Sequence, residues 1–329
     1  MAKNLRVGLV GLGMMGRNHS RVLASLPEVD YVGVCDTAGD PHTLSQGRAL
    51  CGSVAELIEL GIDYAVVAVP TIHHLEVCKE LANSGIHALV EKPLSQNTAT
   101  AKELMKAFVD AGLVGAVGHI ERYNPALQEA RQRLHQLGSL YQVVTRRQGP
   151  YPARVVDIGV IKDLATHDIE LTAWITRQKY ASVSARTAPR TNRNHEDLVA
   201  VVGSLVDGTV TNHLVNWLSP LKERVTILTG EKGAFIADTL TGDLTFYANG
   251  TVTSSWDEIA QFRGVSEGDV IRYAIPKHEP LRLEHENFRD AILGKPSDIV
   301  TMEEGIAAIL VAEAIIESSI TNQIVHLVY

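Results

Sequence analysis

Through the first third of the chain, short apolar runs alternate with stretches whose apolar positions recur every three to four residues. The runs at 5–10, 29–35, 63–69, 87–90 and 113–118 predict strands, and the stretches at 17–26, 53–60, 72–83 and 97–111 predict helices. Strand and helix in regular succession, joined by short loops, imply an α/β domain with a doubly wound parallel sheet. From Gly118 the pattern changes. Asn124-Pro125 opens an amphipathic helix reaching about Leu137, with Asn124 as its cap and Pro125 at the first helical position. Strand-like segments follow at 140–147, 182–188, 199–206, 209–217, 224–229, 234–238 and 244–247. Asp-Gly, Gly-Glu-Lys-Gly and Asn-Gly turns join them, and Val206-Asp207-Gly208-Thr209 is the clearest hairpin. Strands that follow one another without helices between them predict an α+β domain with a large, mostly antiparallel open sheet. One helical segment, 159–171, interrupts them, and helices are expected at 283–293 and 302–318. The last is apolar nearly all round, which predicts burial between the domains, packed back on the first.

Length and composition agree with two domains, 1–120 and 121–329. At 329 residues the chain is longer than a single core usually grows, and 45% hydrophobic with 21% charged residues is a globular balance. The formal charge of −8 argues against wholesale binding of nucleic acid or an acidic membrane surface. Cys35, Cys51 and Cys78 are an odd set without paired-ligand spacing, so neither a disulfide framework nor a zinc site is indicated. No apolar stretch approaches the roughly 20 residues of a membrane span, and a cytoplasmic protein is expected.

The chemistry is concentrated at predicted strand ends. Gly11-Leu12-Gly13-Met14-Met15-Gly16 lies between a strand and a helix, the context in which G-x-G-x-x-G predicts dinucleotide binding. Gly11 permits the tight turn, Gly13 lets the backbone approach a pyrophosphate, and Gly16 lets helix pack on strand. Asp36 closes the second strand 20 residues beyond Gly16, where a carboxylate accepts from the adenosine ribose hydroxyls and repels a 2′-phosphate. NAD is therefore expected over NADP. Pro70-Thr71 and Glu91-Lys92-Pro93 fall at the carboxyl ends of two further strands, the sheet edge where ligands bind. His74 at the following helix start is a cofactor contact or a solvent-facing residue. Asp163 and His167, four apart, share a helix face, so the carboxylate can orient the imidazole for proton transfer; an ordinary helix-start acid beside a satisfied histidine is the plainer alternative.

Together the glycine turn, Glu91-Lys92-Pro93, Arg122-Tyr123-Asn124-Pro125 and the Asp163/His167 pair resemble the glucose-fructose oxidoreductase, inositol dehydrogenase and rhizopine-catabolism (Gfo/Idh/MocA) family. That resemblance implies an amino-terminal Rossmann domain and a carboxy-terminal α+β domain whose open sheet face forms homodimers or homotetramers. It also implies oxidation of a secondary alcohol of a sugar or polyol with a nicotinamide cofactor. Lys92, Asp163 and His167 match the catalytic positions. The chemistry suits His167 as the base, oriented by Asp163, with Lys92 stabilising the developing alkoxide or relaying the proton; Lys92 as the immediate base is the alternative, and burial would then have to lower its pKa considerably. Met14, Met15 and Asn124 join the expected cofactor contacts, and Arg122 and Tyr123 the substrate contacts.

Within the family, the segments 118–125 and 149–167 look most like UDP-N-acetylglucosamine 3-dehydrogenases and their UDP-sugar relatives. Arg146, Arg147, Arg154 and Lys162 precede the catalytic segment, and guanidinium forks suit a diphosphate; a solvated basic strand end is the alternative. Rival readings are an inositol or free-sugar dehydrogenase, a glycosidase that retains NAD, and an NAD-binding regulator without turnover.

Overall fold

The structure is a computed structural model, and it describes residues 4–40, 43–152, 158–191, 195–250 and 268–329. These divide into two compact units, the first made of Met1–Ile120 with Glu279–Leu310 and the second of Glu121–His278 with Val311–Tyr329.

The first unit holds a six-stranded parallel sheet built from β1 (Leu5–Val10), β2 (Val29–Cys35), β3 (Ala49–Cys51), β4 (Tyr64–Val67), β5 (His87–Glu91) and β6 (Gly115–Gly118). The strand order is β3-β2-β1-β4-β5-β6, so the direction of winding reverses next to β1, the position at which sheets of this kind bind ligands beyond their strand ends. The three-residue β3 has no run long enough to be read from the sequence. Central strands are buried on both faces, and alternate residues feed two cores. Val10, Val67 and Val90 pack with Leu57, Leu81, Leu104 and Phe108, which come from α2 (Val54–Glu59), α3 (His74–Asn83) and α4 (Thr98–Asp110). Leu9, Val66 and Leu89 face the other way, toward Leu23 of α1 (Met14–Leu23) and Phe288. Polar caps fix the helix starts: Ser53 accepts from the Glu56 amide at 3.2 Å, and Asn97 from the Thr100 amide at 2.9 Å.

Phe288 belongs to α7 (Pro280–Ile292), a helix that the sequence reading assigned to the second domain with the rest of 121–329. Here it covers the sheet face that α1 leaves bare, and Phe288 meets the Tyr64 ring edge-on at 5.5 Å. Val300, Met302, Ile306 and Ile309 join the opposite core, so α8 (Met302–Thr321) begins in the first unit and its residues from Val311 belong to the second.

The second unit is built on a nine-stranded mixed sheet. It comprises β7 (Leu140–Pro150), β8 (Tyr180–Ala188), β9 (Leu198–Leu205), β10 (Val210–Asn216), β11 (Leu218–Gly230), β12 (Gly233–Asp238), β13 (Asp243–Ala248), β14 (Val270–Arg272) and β15 (Val325–His326). The order is β14-β13-β12-β11-β7-β10-β9-β8-β15; β7 and β10 run parallel, and the other described ladders are antiparallel. The expected hairpin joins β9 to β10, with Gly208 at φ +90° donating its amide to Leu205. One face of the sheet is covered by α5 (Pro125–Gln132) and α6 (Thr166–Thr176), through Leu127, Leu171 and Trp174 against Val143, Leu228 and Phe235. Among the described residues no helix packs against the opposite face, on which Val202 is 52% exposed.

Candidate active site

In the first unit the turn after β1 shows which glycines the fold itself requires. Gly11 adopts φ +97°, and a Cβ there would fall 2.6 Å from the Ala68 carbonyl oxygen; a Cβ on Gly16 would collide with the Gly11 carbonyl. A Cβ on Gly13 would meet nothing within 4 Å. Gly13 caps α1 without a side chain, so the helix's first amides open onto that space, a setting that favours an anion. Asp36 follows β2, with Oδ2 accepting from the Leu12 amide at 2.6 Å and Oδ1 from the Ala38 amide at 2.8 Å. Each oxygen keeps a second lone pair, as ribose recognition requires. An open approach at Gly13, a helix start and a carboxylate at the next strand end supply residues that could hold a dinucleotide.

Glu91 is the last residue of β5, 7% exposed, and Lys92 after it is half-buried, joined to Pro93 by a cis peptide. Glu91 Oε1 lies 2.8 Å from His19 Nε2, while Oε2 accepts from the Lys92 amide at 3.1 Å. His74 takes a different place from either sequence expectation. Its ring is 1% exposed, with Nδ1 3.1 Å from the Leu94 carbonyl and Nε2 3.0 Å from that of Val69. Burial lowers its pKa, only partly offset by those carbonyls; a neutral ring has one N–H and donates to one of the two, while its packing braces the Pro70-Thr71 and Pro93-Leu94 turns.

In the second unit Asp163 and His167 are 5% and 7% exposed. The segment carrying Asp163, Ile161–Ala165, is a π-helix that runs into α6, where His167 lies. An α-helix was expected here; the wider turn is a form that recurs at functional sites.

The basic residues sort by strand geometry. Neighbours on a strand point to opposite faces, so Arg146 and Arg147 cannot form one patch. Arg146 faces out, pairing with Glu223 at 2.8 Å. Arg147 points under the helices, 3% exposed, with Nε 3.0 Å from Asp168 and Nη1 3.0 Å from Glu121. Burial works against its charge, but Asp168 and Glu121 outweigh that and raise its pKa, while Arg147 and Arg224 hold Glu121 below the usual carboxylate range. Arg122, 1% exposed, donates from Nε to Glu170 at 2.9 Å and lies over the Trp174 ring. Asn124 caps α5 through the Ala126 amide and donates to the Thr239 carbonyl at 2.9 Å. Tyr123 is buried, Lys162 is half-buried, and Arg154 lies outside the described residues. Sequence reasoning missed His19 and its neighbour His285, which is 266 residues away in the chain; only His19's place three residues past Gly16 offered a signal.

The parallel sheet, its glycine turn and its strand-end acid define a dinucleotide-binding protein. Residues 5–119 match the family described as an oxidoreductase family with an NAD-binding Rossmann fold, and residues 135–327 match that family's C-terminal alpha/beta domain. The chain belongs to this Gfo/Idh/MocA oxidoreductase family. It is 30% identical to UDP-N-acetylglucosamine 3-dehydrogenase of Acidithiobacillus ferrooxidans over 64% of this chain and 66% of that protein. It is also 30% identical to inositol 2-dehydrogenase 4 of Saccharopolyspora erythraea, over 58% and 60%. The chain thus spans about two thirds or less of the length of these curated relatives. A solved structure of the A. ferrooxidans enzyme, GnnA, superposes with a TM-score of 0.84 at 25% identity, covering 97% of this chain and 98% of that one. GenD2 from gentamicin A biosynthesis, in complex with NAD, superposes at 0.83 with 25% identity, covering 100% and 98%. Among the described residues no helix is long and apolar enough to cross a membrane.

Proposed function

We propose that the protein is an NAD-dependent dehydrogenase that oxidises a secondary hydroxyl of a sugar, the 3-hydroxyl of a UDP-N-acetylhexosamine being the favoured substrate. The observation that carries this reading is Lys92, half-buried at the ligand edge of a dinucleotide-binding sheet. The likeness to UDP-N-acetylglucosamine 3-dehydrogenase supports the substrate class.

Bound NAD supplies the hydride acceptor. This chain's task is the proton, since the hydroxyl must lose it as the carbonyl forms. The His167 imidazole accepts it, the Asp163 carboxylate sets that ring's tautomer, and the Lys92 ammonium Nζ stabilises the developing alkoxide. Arg147 and Arg122, occupied by buried carboxylates, are left out of the substrate contacts; the nucleotide part of the reading leans on the relatives. An inositol or polyol substrate is the second reading, supported by the inositol 2-dehydrogenase likeness. Assembly into a homodimer or homotetramer through the open sheet face, in the cytoplasm, completes the proposal.

The test is NADH absorbance on adding UDP-N-acetylglucosamine, free N-acetylglucosamine or myo-inositol. Preference for the unphosphorylated compounds rejects the nucleotide sugar, and no net NADH from any of them rejects the dehydrogenase in favour of a glycosidase or a regulator. Lys92→Ala and His167→Ala should each slow turnover by at least about 100-fold with NAD binding retained. Near-normal rates in both would overturn the residue roles.

A further inference from the structure

Helices α1 and α7 place two fully buried histidines behind the end of β5. His19 Nε2 lies 2.8 Å from Glu91 Oε1, and His19 Nδ1 lies 2.9 Å from His285 Nε2, with the rings edge to face at 85°. Both rings are 0% exposed. Because Glu91 Oε2 receives the Lys92 amide, an unbroken hydrogen-bonded chain runs from His285 through His19 and Glu91 to the Lys92 backbone, all within the first unit.

The direction of the hydrogens follows from what each end can bear. Suppose first that Glu91 carried the proton and donated to His19. His19 would then donate to His285 Nε2, and His285 would hold its own hydrogen on Nδ1. That nitrogen is buried with no hydrogen-bond partner among the described residues, so an N–H there would be left unsatisfied. A doubly protonated His19 leads to the same orphaned N–H. If instead His285 Nε2–H donates to His19 Nδ1, and His19 Nε2–H donates to an ionised Glu91, every hydrogen in the chain has an acceptor. The surroundings agree. Burial, and secondarily His19, push the His285 pKa well down, keeping that ring neutral. Burial, and secondarily Glu91, push the pKa of the adjacent Glu284 well up, which works against a second negative charge beside Glu91.

We propose that His19 and His285 are positioning residues for Lys92: His285 orients His19, His19 locks the Glu91 carboxylate, and Glu91 pins the peptide from which the Lys92 side chain departs. The expected effect on turnover rests on the dehydrogenase reading; the hydrogen-bond chain does not.

Two measurements on the full-length protein separate these. Long-range 15N–1H correlation spectra should show His19 protonated at Nε2 and bare at Nδ1, with His285 protonated at Nε2. A hydrogen on His19 Nδ1 would overturn the proposal whatever the enzyme does. In kinetics, His19→Leu should lower kcat at least about tenfold, since small misplacements of a catalytic group are amplified in rate, with less than about threefold change in the NAD dissociation constant by calorimetry. His19→Gln, which keeps an N–H donor for Glu91, should recover most of that loss. A lowered melting temperature with unchanged kcat per folded molecule, or equal losses in both variants, overturns the positioning role. Absence of wild-type turnover on every alcohol tried counts against the dehydrogenase reading, while the spectra still decide the chain.

Discussion

The glycine turn separates two demands that a sequence motif merges. Gly16 sits where a Cβ would strike the Gly11 carbonyl, so the fold needs it, whereas the space beside Gly13 is open and only a ligand gives it a purpose. Gly16→Ala should therefore destabilise the protein by about 2 kcal/mol or more, the scale of forced overpacking. Gly13→Ala should leave stability within about 0.5 kcal/mol, yet weaken NAD binding at least about tenfold by filling the pyrophosphate's approach. Denaturant unfolding and calorimetric titration of the two variants check this, and unaltered NAD affinity in Gly13→Ala would remove the assignment. Asp36 was legible from its spacing alone, because the distance from turn to second strand end is set by one helix and one strand. That it accepts the Leu12 amide was not, since nothing local announces which backbone group a carboxylate will meet.

At the level of elements, periodicity identified most strands and helices but not what they face. Arg146 and Arg147 read as one basic patch along the chain, and the pleat of β7 sends them to opposite sides. Breaking a buried ion pair strands the remaining charge, so Arg147→Met should cost about 3 kcal/mol or more, with Asp168 left uncompensated and Glu121 held by Arg224 alone. Arg146→Ala, which loses one half-exposed pair, should change stability by no more than about 0.5 kcal/mol. Urea midpoints of the two variants measure the contrast, and comparable losses would refute it. A helix was expected at 283–293, yet a helix by itself does not say which sheet will bury it. Phe288 against Tyr64 answers that, and draws 279–310 into the first unit.

For the whole molecule, the consequential feature is the face of the nine-stranded sheet that no described helix covers. Strand alternation places Val144, Val202, Leu214, Ile227 and Ile236 on that side, opposite the face packed by α5 and α6. Apolar surface gathered on one sheet face marks an association site, and in a protein of one chain type the economical partner is a second copy. The proposed homo-oligomer predicts that Ile227→Glu lowers the mass measured by light scattering to that of a smaller species without changing the far-ultraviolet circular dichroism. A wild-type monomer, or a variant of unchanged mass, would reject this face as the interface.

By itself the sequence determined the two kinds of sheet, the glycine turn with Asp36, the Val206–Thr209 hairpin and the strand end that carries Lys92. Each of these is written in local spacing: a period of two or of three to four residues, a glycine where φ must be positive, a proline where a strand stops. Only the tertiary structure decided that His285 lies behind His19 and Glu91, that Arg147 turns inward, that His74 is a brace, and that Glu279–Leu310 belongs with the first unit. These depend on register and packing between segments far apart in the chain, where burial and hydrogen-bond satisfaction choose the partners and no short window of residues contains the choice.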